Sequence, residues 1–115
     1  MLDEQCIFCK IIRGEMPSKK VYEDEHTFAF HDINPIAPVH VLVIPKKHIP
    51  NVLAVEPEDE LYITAIHRAI KKVVETTGIA EDGFRVITNT NRHGQQTVFH
   101  LHYHVIGGRQ LTWTM

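Results

Sequence analysis

The apolar residues of the chain recur with a helical period in two segments. Residues 6–13 carry apolar side chains on one face of a short helix, at Ile7, Phe8, Ile11 and Ile12. Gly14 follows and suits the end of that helix. A longer stripe consists of Tyr62, Ile66, Ala69, Ile70 and Val73. Pro57 suits the first turn of this second helix, and Gly78 suits the residue that terminates it. We expect the basic pair Lys71 and Lys72 near its end, where it complements the helix dipole.

Five other segments have the composition and alternation of β-strands. They are residues 21–24, 27–31, 39–44, 83–88 and 97–106. The first two flank a polar bend and predict a hairpin. Residues 39–44 are almost continuously apolar and β-branched, which indicates a central, buried strand. Short connections favour antiparallel pairing, so we predict an α+β domain with a five-stranded antiparallel sheet, one long helix and one short helix.

Length and charge narrow the functional classes. With 115 residues the chain has room for one domain, spanning residues 1–115. Its 12 Lys and Arg against 14 Asp and Glu give a formal net charge of −2, which argues against broad electrostatic binding to nucleic acid or to an anionic membrane. Residues 1–5 do not resemble a signal peptide, and no apolar run is long enough to span a membrane. We therefore expect a cytoplasmic protein that binds neither nucleic acid nor membranes.

Histidine is the one residue type in clear excess, with nine in the chain. In the last predicted strand His100, His102 and His104 alternate with apolar residues, so the three imidazoles share one face. A merely solvated face would not select one rare residue three times. Two functions fit the spacing: a metal site, or a nucleophilic histidine oriented by its neighbours. The spacing alone does not decide between them.

The polar segment before this strand suits the binding of a phosphate. Residues 91–97 supply amides, a hydroxyl and a flexible glycine backbone. Ordinary solvation of a loop explains the same composition equally well. The chain has neither a Walker-type glycine loop nor a dinucleotide fingerprint, so the sequence supports neither of those two modes of nucleotide binding.

Several motifs together resemble the histidine triad (HIT) family, and its Hint-like branch in particular. Residues 100–106 fit the signature in which three histidines alternate with apolar residues. The agreement extends to residues 29–38, 43–48, 89–97 and 107–110. The resemblance implies a HIT-like fold and a hydrolase or transferase of purine nucleoside 5′-phosphoramidates or related nucleotidyl esters. It also implies a homodimer with the long helix and the last strand at its interface.

The resemblance also implies a role for each site residue. His102 would attack the α-phosphorus and form a covalent nucleotidyl-histidine, which water then hydrolyses. His104 would bond to the backbone beside the nucleophile, with His40 on the neighbouring strand as its partner. Asp32 would bind the ribose hydroxyls. The remaining contacts would be Gln96, Thr97 and Asn89 near the phosphate and Ile7, Phe8, Phe30 and Ile33 around the base.

Two alternatives stay open beside this hydrolase. One is a nucleotide-binding or adaptor protein in which hydrolysis is weak. The other is a zinc-dependent metallohydrolase in which the strand histidines bind a catalytic metal. None of the three calls for an organic cofactor.

Cys6 and Cys9 form a C-x-x-C motif on the short helix, where both sulfurs share a face. The motif by itself fits a redox pair, half of a zinc site, or chance. Some bacterial histidine triad proteins, and the related galactose-1-phosphate uridylyltransferases, carry structural zinc on such cysteines together with histidines. By that resemblance the zinc ligands would be Cys6, Cys9, His48 and His100, and His100 would be structural.

Overall fold

The computed structural model describes residues 2–114, which contain two α-helices and five strands. The helices are α1 (Ile7–Ile12) and α2 (Glu60–Thr77). The strands are β1 (Lys20–Glu23), β2 (Thr27–His31), β3 (Val39–Pro45), β4 (Phe84–Ile87) and β5 (Tyr103–Gly107). Two short 3₁₀ turns, Val52–Ala54 and Pro57–Asp59, precede α2. The predicted α+β class and the number of helices are confirmed.

The strands form a single antiparallel sheet in the order β1-β2-β3-β5-β4. The predicted hairpin is β1 and β2, and the Asp24 carboxylate closes its bend by accepting bonds from the backbone of His26 and Thr27. β3 lies at the centre of the sheet and is buried along nearly its whole length, as its continuous apolar sequence predicts. This topology confirms the expected five-stranded antiparallel sheet.

Each face of the sheet is covered by one helix, so the domain has two apolar cores. On one face the side chains of Ala29, Val41, Val43 and Val105 pack against α2. Alternation along the strands sends Phe28, Phe30, Leu42 and Ile44 to the opposite face, where Phe8 and Ile11 of α1 cover them. His40 and His104 follow the same alternation as Leu42 and point to the α1 side. The chemistry-bearing histidines therefore lie on the face that the short helix covers.

The ends of α2 follow the local sequence signals with one exception. A capping box closes the turn at Pro57–Asp59 that leads into the helix. Gly78 ends the helix in a left-handed conformation, with φ of 77°. The expected basic pair does not lie in the last turn, because the helix continues to Thr77 and that turn carries no basic residue. The prediction for Lys71 and Lys72 was wrong by more than one turn.

The last strand is shorter than predicted, since β5 begins at Tyr103 and not at residue 97. The register pairs Val43 with Tyr103, which would bring Pro45 opposite Leu101 if the ladder continued. Proline has no backbone N–H to donate, so the ladder ends before that point. Residues 97–102 are irregular, and the backbone N–H of Leu101 bonds instead to the carbonyl of Ile49 at 2.6 Å.

The position of β5 in the sheet determines which strand edge is free to pair with a second chain. β5 lies between β3 and β4, so both of its edges are paired. The free edge on that side of the sheet belongs to β4, where Phe84 and Val86 are exposed. Edge-to-edge pairing with a second chain is thus open to β4 and not to β5, and the expected dimer stays a prediction. Among residues 2–114, no helix is both long enough and apolar enough to cross a membrane.

Candidate active site

The backbone fixes the tautomer of His102. Its Nδ1 lies 2.8 Å from the carbonyl oxygen of His100. A carbonyl oxygen only accepts hydrogen bonds, so Nδ1 must carry the proton and Nε2 keeps a free lone pair. The ring is 6% exposed, and the edge of Phe8 packs against it with ring centroids 5.2 Å apart. His102 is thus held in the form that a nucleophile needs.

His40 and His104 form a second chain of defined tautomers. The backbone N–H of Ile36 donates to His40 Nδ1 at 3.2 Å, which makes that nitrogen an acceptor. The proton of neutral His40 is therefore on Nε2, from which it donates to His104 Nδ1 at 2.9 Å. In neutral His104 the remaining proton is on Nε2. The expected contact between His40 and His104 is present, and the hydrogen bond to the backbone beside the nucleophile is made by His102 itself.

Burial keeps these imidazoles neutral at physiological pH. Desolvation lowers the pKa of His102 and of His40, although the nearby Asp32 carboxylate acts in the opposite direction on both. The pKa of His104 falls to about 4, first through burial and then through its proximity to His102 and His40. The lone pair of His102 is therefore available without prior deprotonation.

A cavity of about 720 Å³ opens beside His40. Phe30, Asp32 and Ile33 line it, as the resemblance predicts for a nucleoside site. One oxygen of Asp32 accepts a bond from the backbone of Asn34 at 2.8 Å, and the other lies 3.4 Å from His40 Nε2. The side chain of Ile33 is 91% exposed at the rim. An apolar wall with a carboxylate at its mouth suits a flat base and a vicinal diol.

Two of the predicted base contacts lie elsewhere. Phe8 is buried behind the cavity, where its ring packs on Phe30 with centroids 5.5 Å apart and does not line the cavity. Ile7 is 44% exposed and lines a separate groove of about 390 Å³ together with Thr97. The helical period of α1 explains the difference, because consecutive residues point about 100° apart. The structure does not bring Ile7 and Phe8 into the cavity beside His40, and their contact with a base stays a prediction.

The Gln96 side chain is buried and holds four neighbouring groups together. Its amide nitrogen donates to the carbonyls of Pro50 and Val98 at 2.8 and 3.0 Å. Its oxygen accepts from the Asn51 side chain and from the Asn91 backbone at 3.3 and 3.0 Å. Both amide hydrogens are therefore engaged within the protein, and the contact of this side chain with phosphate stays a prediction.

The other two residues of the predicted phosphate site are differently placed. Thr97 is exposed, with its hydroxyl free to meet a ligand, but it lines the groove beside Ile7. Asn89 donates from its side chain to the carbonyl of Gly94 at 2.7 Å and so braces the loop before the histidines. The structure does not bring Asn89 or Thr97 into the cavity beside His40.

Sequence reasoning missed the main-chain groups that orient the imidazoles. These are the N–H of Ile36 and the carbonyls of His100 and Pro45. It also missed Arg109, whose guanidinium donates to the carbonyl of Ile36 at 3.1 Å and so anchors the residue whose N–H reaches His40. Main-chain atoms leave no signal in residue types. For Arg109 a signal was present, since residues 107–110 belong to the motifs that carry the family resemblance.

Cys6, Cys9, His48 and His100, called the Cys/His cluster below, converge on the α1 side of the sheet. Their ligand atoms all lie within 4.8 Å of one another. His100 Nδ1 lies 3.2 Å from Cys6 Sγ and 3.4 Å from Cys9 Sγ, while His48 Nδ1 lies 3.4 Å from Cys9 Sγ. Tetrahedral zinc with these ligands separates the ligand atoms by roughly 3.3–3.8 Å. Both the donor set and its spacing fit such an ion.

The surroundings of the Cys/His cluster support the same fit. His100 Nε2 donates to the carbonyl of Pro45 at 2.9 Å, so its Nδ1 lone pair points to the sulfurs. Burial raises the pKa of Cys9 to about 11, which means that the thiol becomes a good ligand only when a cation displaces its proton. Both cysteines are free thiols.

The three histidines of the triad do not converge on one metal. His100 Nδ1 faces the cysteines, His102 Nδ1 faces its own backbone, and His104 Nδ1 faces His40. Within residues 2–114, the other group with ligand spacing is Asp32, His40 and His104. Two nitrogens of that group are already bonded to each other. The arrangement speaks against a catalytic metal held by all three strand histidines.

Comparison with known proteins gives one consistent result. The family model described as the HIT domain matches residues 13–111. Over 108 residues the chain is 51% identical to the purine nucleoside phosphoramidase of Escherichia coli (strain K12), covering 94% of this chain and 91% of that protein. A solved HIT family hydrolase from Clostridium thermocellum is 51% identical, with a TM-score of 0.95 over 99% of both chains. A histidine triad protein from Clostridium difficile is 44% identical, with a TM-score of 0.95 over 100% of both chains. The family match includes His48 and His100 but begins after Cys6 and Cys9.

Proposed function

The chain belongs to the HIT family and is a hydrolase, and from this premise we propose that it cleaves purine nucleoside 5′-phosphoramidates and related nucleotidyl compounds through His102. The substrate class is supported by the name of the Escherichia coli relative, a purine nucleoside phosphoramidase. The observation that carries the proposal is the 2.8 Å bond from His102 Nδ1 to the His100 carbonyl. That bond leaves Nε2 as the free nucleophilic atom.

In the first step His102 Nε2 attacks the α-phosphorus and the bond from phosphorus to the leaving nitrogen breaks. The electron pair of that bond goes to the nitrogen, which departs as a neutral amine when it enters protonated. Positive charge develops on the His102 ring, and the bond from Nδ1–H to the His100 carbonyl stabilises it. The Nε2–H of His104 is the donor available to the phosphate oxygens, because its other nitrogen is occupied by His40.

In the second step water attacks the phosphorus of the nucleotidyl-histidine. The bond to His102 Nε2 breaks, its electron pair returns to that nitrogen, and a nucleoside 5′-monophosphate is released. The proton of the attacking water goes to solvent. His102 is regenerated with its proton still on Nδ1, so the site is ready for the next substrate without a tautomer change.

The cavity beside His40 suits the nucleoside part of the substrate. Phe30 offers a flat apolar wall and Ile33 an exposed apolar rim. Asp32 has one oxygen near His40 and lies at the mouth of the cavity, where it can accept bonds from both ribose hydroxyls. The Asp32 carboxylate would thus contact the nucleoside while it lies beside the His40–His104 pair.

Quenched single-turnover mass spectrometry with an adenosine 5′-phosphoramidate tests the proposal. We expect a transient mass increase of one nucleotidyl group in the wild-type protein and in His67→Ala, which removes an exposed histidine of α2. His102→Ala should give no adduct. Product formation without any adduct would point to direct attack by water. Tight nucleotide binding without turnover under any condition would favour the adaptor function.

We also propose that the Cys/His cluster holds one structural zinc ion. When bound, zinc supplies a charge-neutral cross-link between two thiolates and two imidazoles. The proposal rests on the ligand spacing and on the bond from His100 to Pro45, which aims His100 Nδ1 at the sulfurs. We expect about one zinc per chain in the purified protein and less in Cys9→Ser, by elemental analysis. Correctly folded wild-type protein without zinc would remove the proposal.

We further propose that the protein is a homodimer that pairs through the free edge of β4 and the exposed side of α2. Phe84, Val86 and Leu61 are 39%, 40% and 64% exposed on these two elements. An unprotected strand edge beside exposed apolar side chains is a site for pairing with a second chain. Light scattering should give a dimer for the wild type and a monomer for Val86→Glu. A monomeric wild type at high concentration would contradict the proposal.

The remaining assignments follow from composition and fold. We propose that residues 1–115 form a single HIT domain acting in the cytoplasm, where two free thiols persist. A net charge of −2 supports a partner list limited to nucleotides and a second copy of the chain, without nucleic acid or membranes. None of the steps above needs an organic cofactor. Fractionation of cells and the nucleic acid content of the purified protein test these assignments.

A further inference from the structure

We propose that the Cys/His cluster, when it holds its metal, positions the nucleophile His102 as well as cross-linking the fold. The proposal rests on the hydrolase function given above, and it makes Cys6, Cys9 and His48 positioning residues for the reaction. None of these three side chains belongs to the histidine triad or is needed as an acid, base or nucleophile. Their influence on His102 passes through His100 and through helix α1.

The first connection is that His100 serves both sites at once. Its ring nitrogens are engaged by the cysteine sulfurs on one side and by the Pro45 carbonyl on the other, at 3.2–3.4 Å and 2.9 Å. Its own carbonyl accepts the bond from His102 Nδ1 at 2.8 Å. The residue that the metal would immobilise is therefore the residue whose backbone selects the tautomer of the nucleophile.

The second connection is that the sheet does not hold this carbonyl in place. The ladder of β5 begins at Tyr103, so His100 and His102 lie outside it. The backbone of this stretch is tied to its surroundings by the Leu101 N–H to Ile49 carbonyl bond. The Thr88 hydroxyl donates to the His102 carbonyl at 2.9 Å. The side chains of Leu101 and His100, which are 1% and 0% exposed, anchor the stretch on opposite faces. These contacts act on residues 101 and 102, so a metal on the His100 ring would add the restraint that acts on residue 100 itself.

The third connection runs through α1. This helix has six residues, which is too short to be stable by itself. Cys6 caps it and Cys9 lies inside it, so a metal on both sulfurs would fasten the helix to His48 and His100. Phe8 lies between the two cysteines, and its ring meets His102 edge to face at 5.2 Å and 89°. The packing partner and the hydrogen-bond partner of the nucleophile both depend on the same cluster.

The tautomer of His102 can be measured without substrate. Two-bond ¹H–¹⁵N correlation spectra of the full-length protein distinguish Nδ1–H from Nε2–H imidazoles, and the spectrum of His102→Gln identifies the signal. We expect a single Nδ1–H form for His102 in the zinc-loaded protein. Cys6→Ser is the main variant, because serine keeps the helix cap that Cys6 provides while removing a thiolate ligand. In this variant we expect a mixture of both tautomers.

Kinetics provide the second measurement. Misplacing a reacting group by about 1 Å costs on the order of 100-fold in rate, so we expect kcat of Cys6→Ser to fall roughly 10- to 100-fold. KM for the nucleotide should change much less than kcat, because α1 contributes only Ile11 to the lining of the cavity beside His40. Adding zinc to chelator-treated wild-type protein should restore both kcat and the single tautomer. His67→Gln, which removes an exposed histidine of α2, is the matched control and should change neither.

Each outcome decides the proposal. A folded Cys6→Ser protein that has lost zinc but keeps the single tautomer and full kcat would show that the cluster only cross-links the fold. If Cys6→Ser does not fold, the same two measurements on His48→Gln decide, since His48 is a half-buried ligand at the edge of the cluster. A wild-type protein that binds no zinc overturns the proposal. Failure of the hydrolase function itself is distinguishable, because zinc-loaded wild-type protein would then show no turnover while the tautomer readout remains.

Discussion

Replacing Gln96 by glutamate exchanges the side-chain amide NH2 for an oxygen and so tests the hydrogen bonds that this buried side chain makes. In the wild-type protein the amide nitrogen donates to Pro50 and Val98, while the amide oxygen accepts from Asn51 and Asn91. Gln96→Glu keeps the size of the side chain and the accepting oxygen. The donor becomes a carboxylate oxygen that faces two carbonyl oxygens at 2.8 and 3.0 Å.

The expected loss of stability follows from the two carbonyls that lose their donor. Gln96 is 7% exposed, so water cannot easily replace the amide. A buried acceptor left without a partner costs about 1–3 kcal/mol, so two of them cost about 2–6 kcal/mol at pH 7. A typical domain has a free energy of unfolding of about 5–15 kcal/mol. The substitution should therefore remove a large part of the stability while leaving the sequence of apolar residues intact.

The loss of stability in Gln96→Glu should depend on pH in a definite direction. Burial and two facing carbonyl oxygens raise the pKa of the introduced carboxyl above its value in the unfolded chain. The folded variant then binds the proton more tightly than the unfolded one, and the protonated acid can donate one bond again. The deficit relative to wild type should thus be largest above the raised pKa and should shrink as the pH falls through it. Urea unfolding followed by far-ultraviolet circular dichroism at pH 7 and pH 5 measures both quantities.

Gln95→Glu is the matched control, since this neighbouring side chain is exposed. We expect a change within about 0.5 kcal/mol for it at either pH. Equal losses of unfolding free energy in the two variants, or a loss in Gln96→Glu that grows on acidification, would refute the assigned hydrogen bonds of Gln96. Wild-type stability combined with a raised KM for nucleotide would instead return Gln96 to the phosphate site.

Three further outcomes are expected. Gly94→Ala places a Cβ 2.6 Å from the backbone oxygen of Thr90, and displacing that backbone should cost about 1–3 kcal/mol in urea unfolding; an unchanged midpoint would argue against this loop geometry. The pKa of His104 is lowered by burial from 6.5 to about 4, so the unfolded chain takes up this proton first and the free energy of unfolding should fall as the pH drops from 6.5 towards 4. His104→Gln should flatten that decline, and an equally steep decline would contradict the assignment. Arg109→Gln removes the bond to the Ile36 carbonyl, loosens the residue whose N–H orients His40, and should lower kcat about fivefold with little change in KM. Arg85→Gln, which removes a side chain stacked on Trp113, should leave steady-state kinetics unchanged.

The side-chain alternation of the histidine segment could be predicted, although its secondary structure could not. Leu101 and Val105 enter the core under α2, while His100, His102 and His104 face away from it, as a period of two requires. The end of the hydrogen-bonded ladder between β3 and β5 could not be predicted. The ladder ends because Pro45 would occupy the position opposite Leu101. That consequence depends on the register between two distant strands, and register is not visible in either strand alone.

The role of Gln96 shows a different limit of sequence reasoning. An amide in a polar loop before three histidines suits a phosphate contact by its chemistry. Two of the four groups that it bonds belong to Pro50 and Asn51, which are more than forty residues away along the chain. The residue type predicts four possible hydrogen bonds but not their direction. The ligands of the Cys/His cluster could be named in advance only because the resemblance supplied them together.

The tautomers of the triad also affect how the site tolerates mutation. His40, His100 and His102 are each oriented by a main-chain group, namely the N–H of residue 36 and the carbonyls of residues 45 and 100. Every amino acid offers the same carbonyl, and every one except proline offers the same N–H. In a saturation library, position 36 should therefore accept many side chains and reject Ile36→Pro, which deletes the donor to His40. A histidine site of this kind can vary its lining, and with it the molecules that it admits, without disturbing where its protons lie.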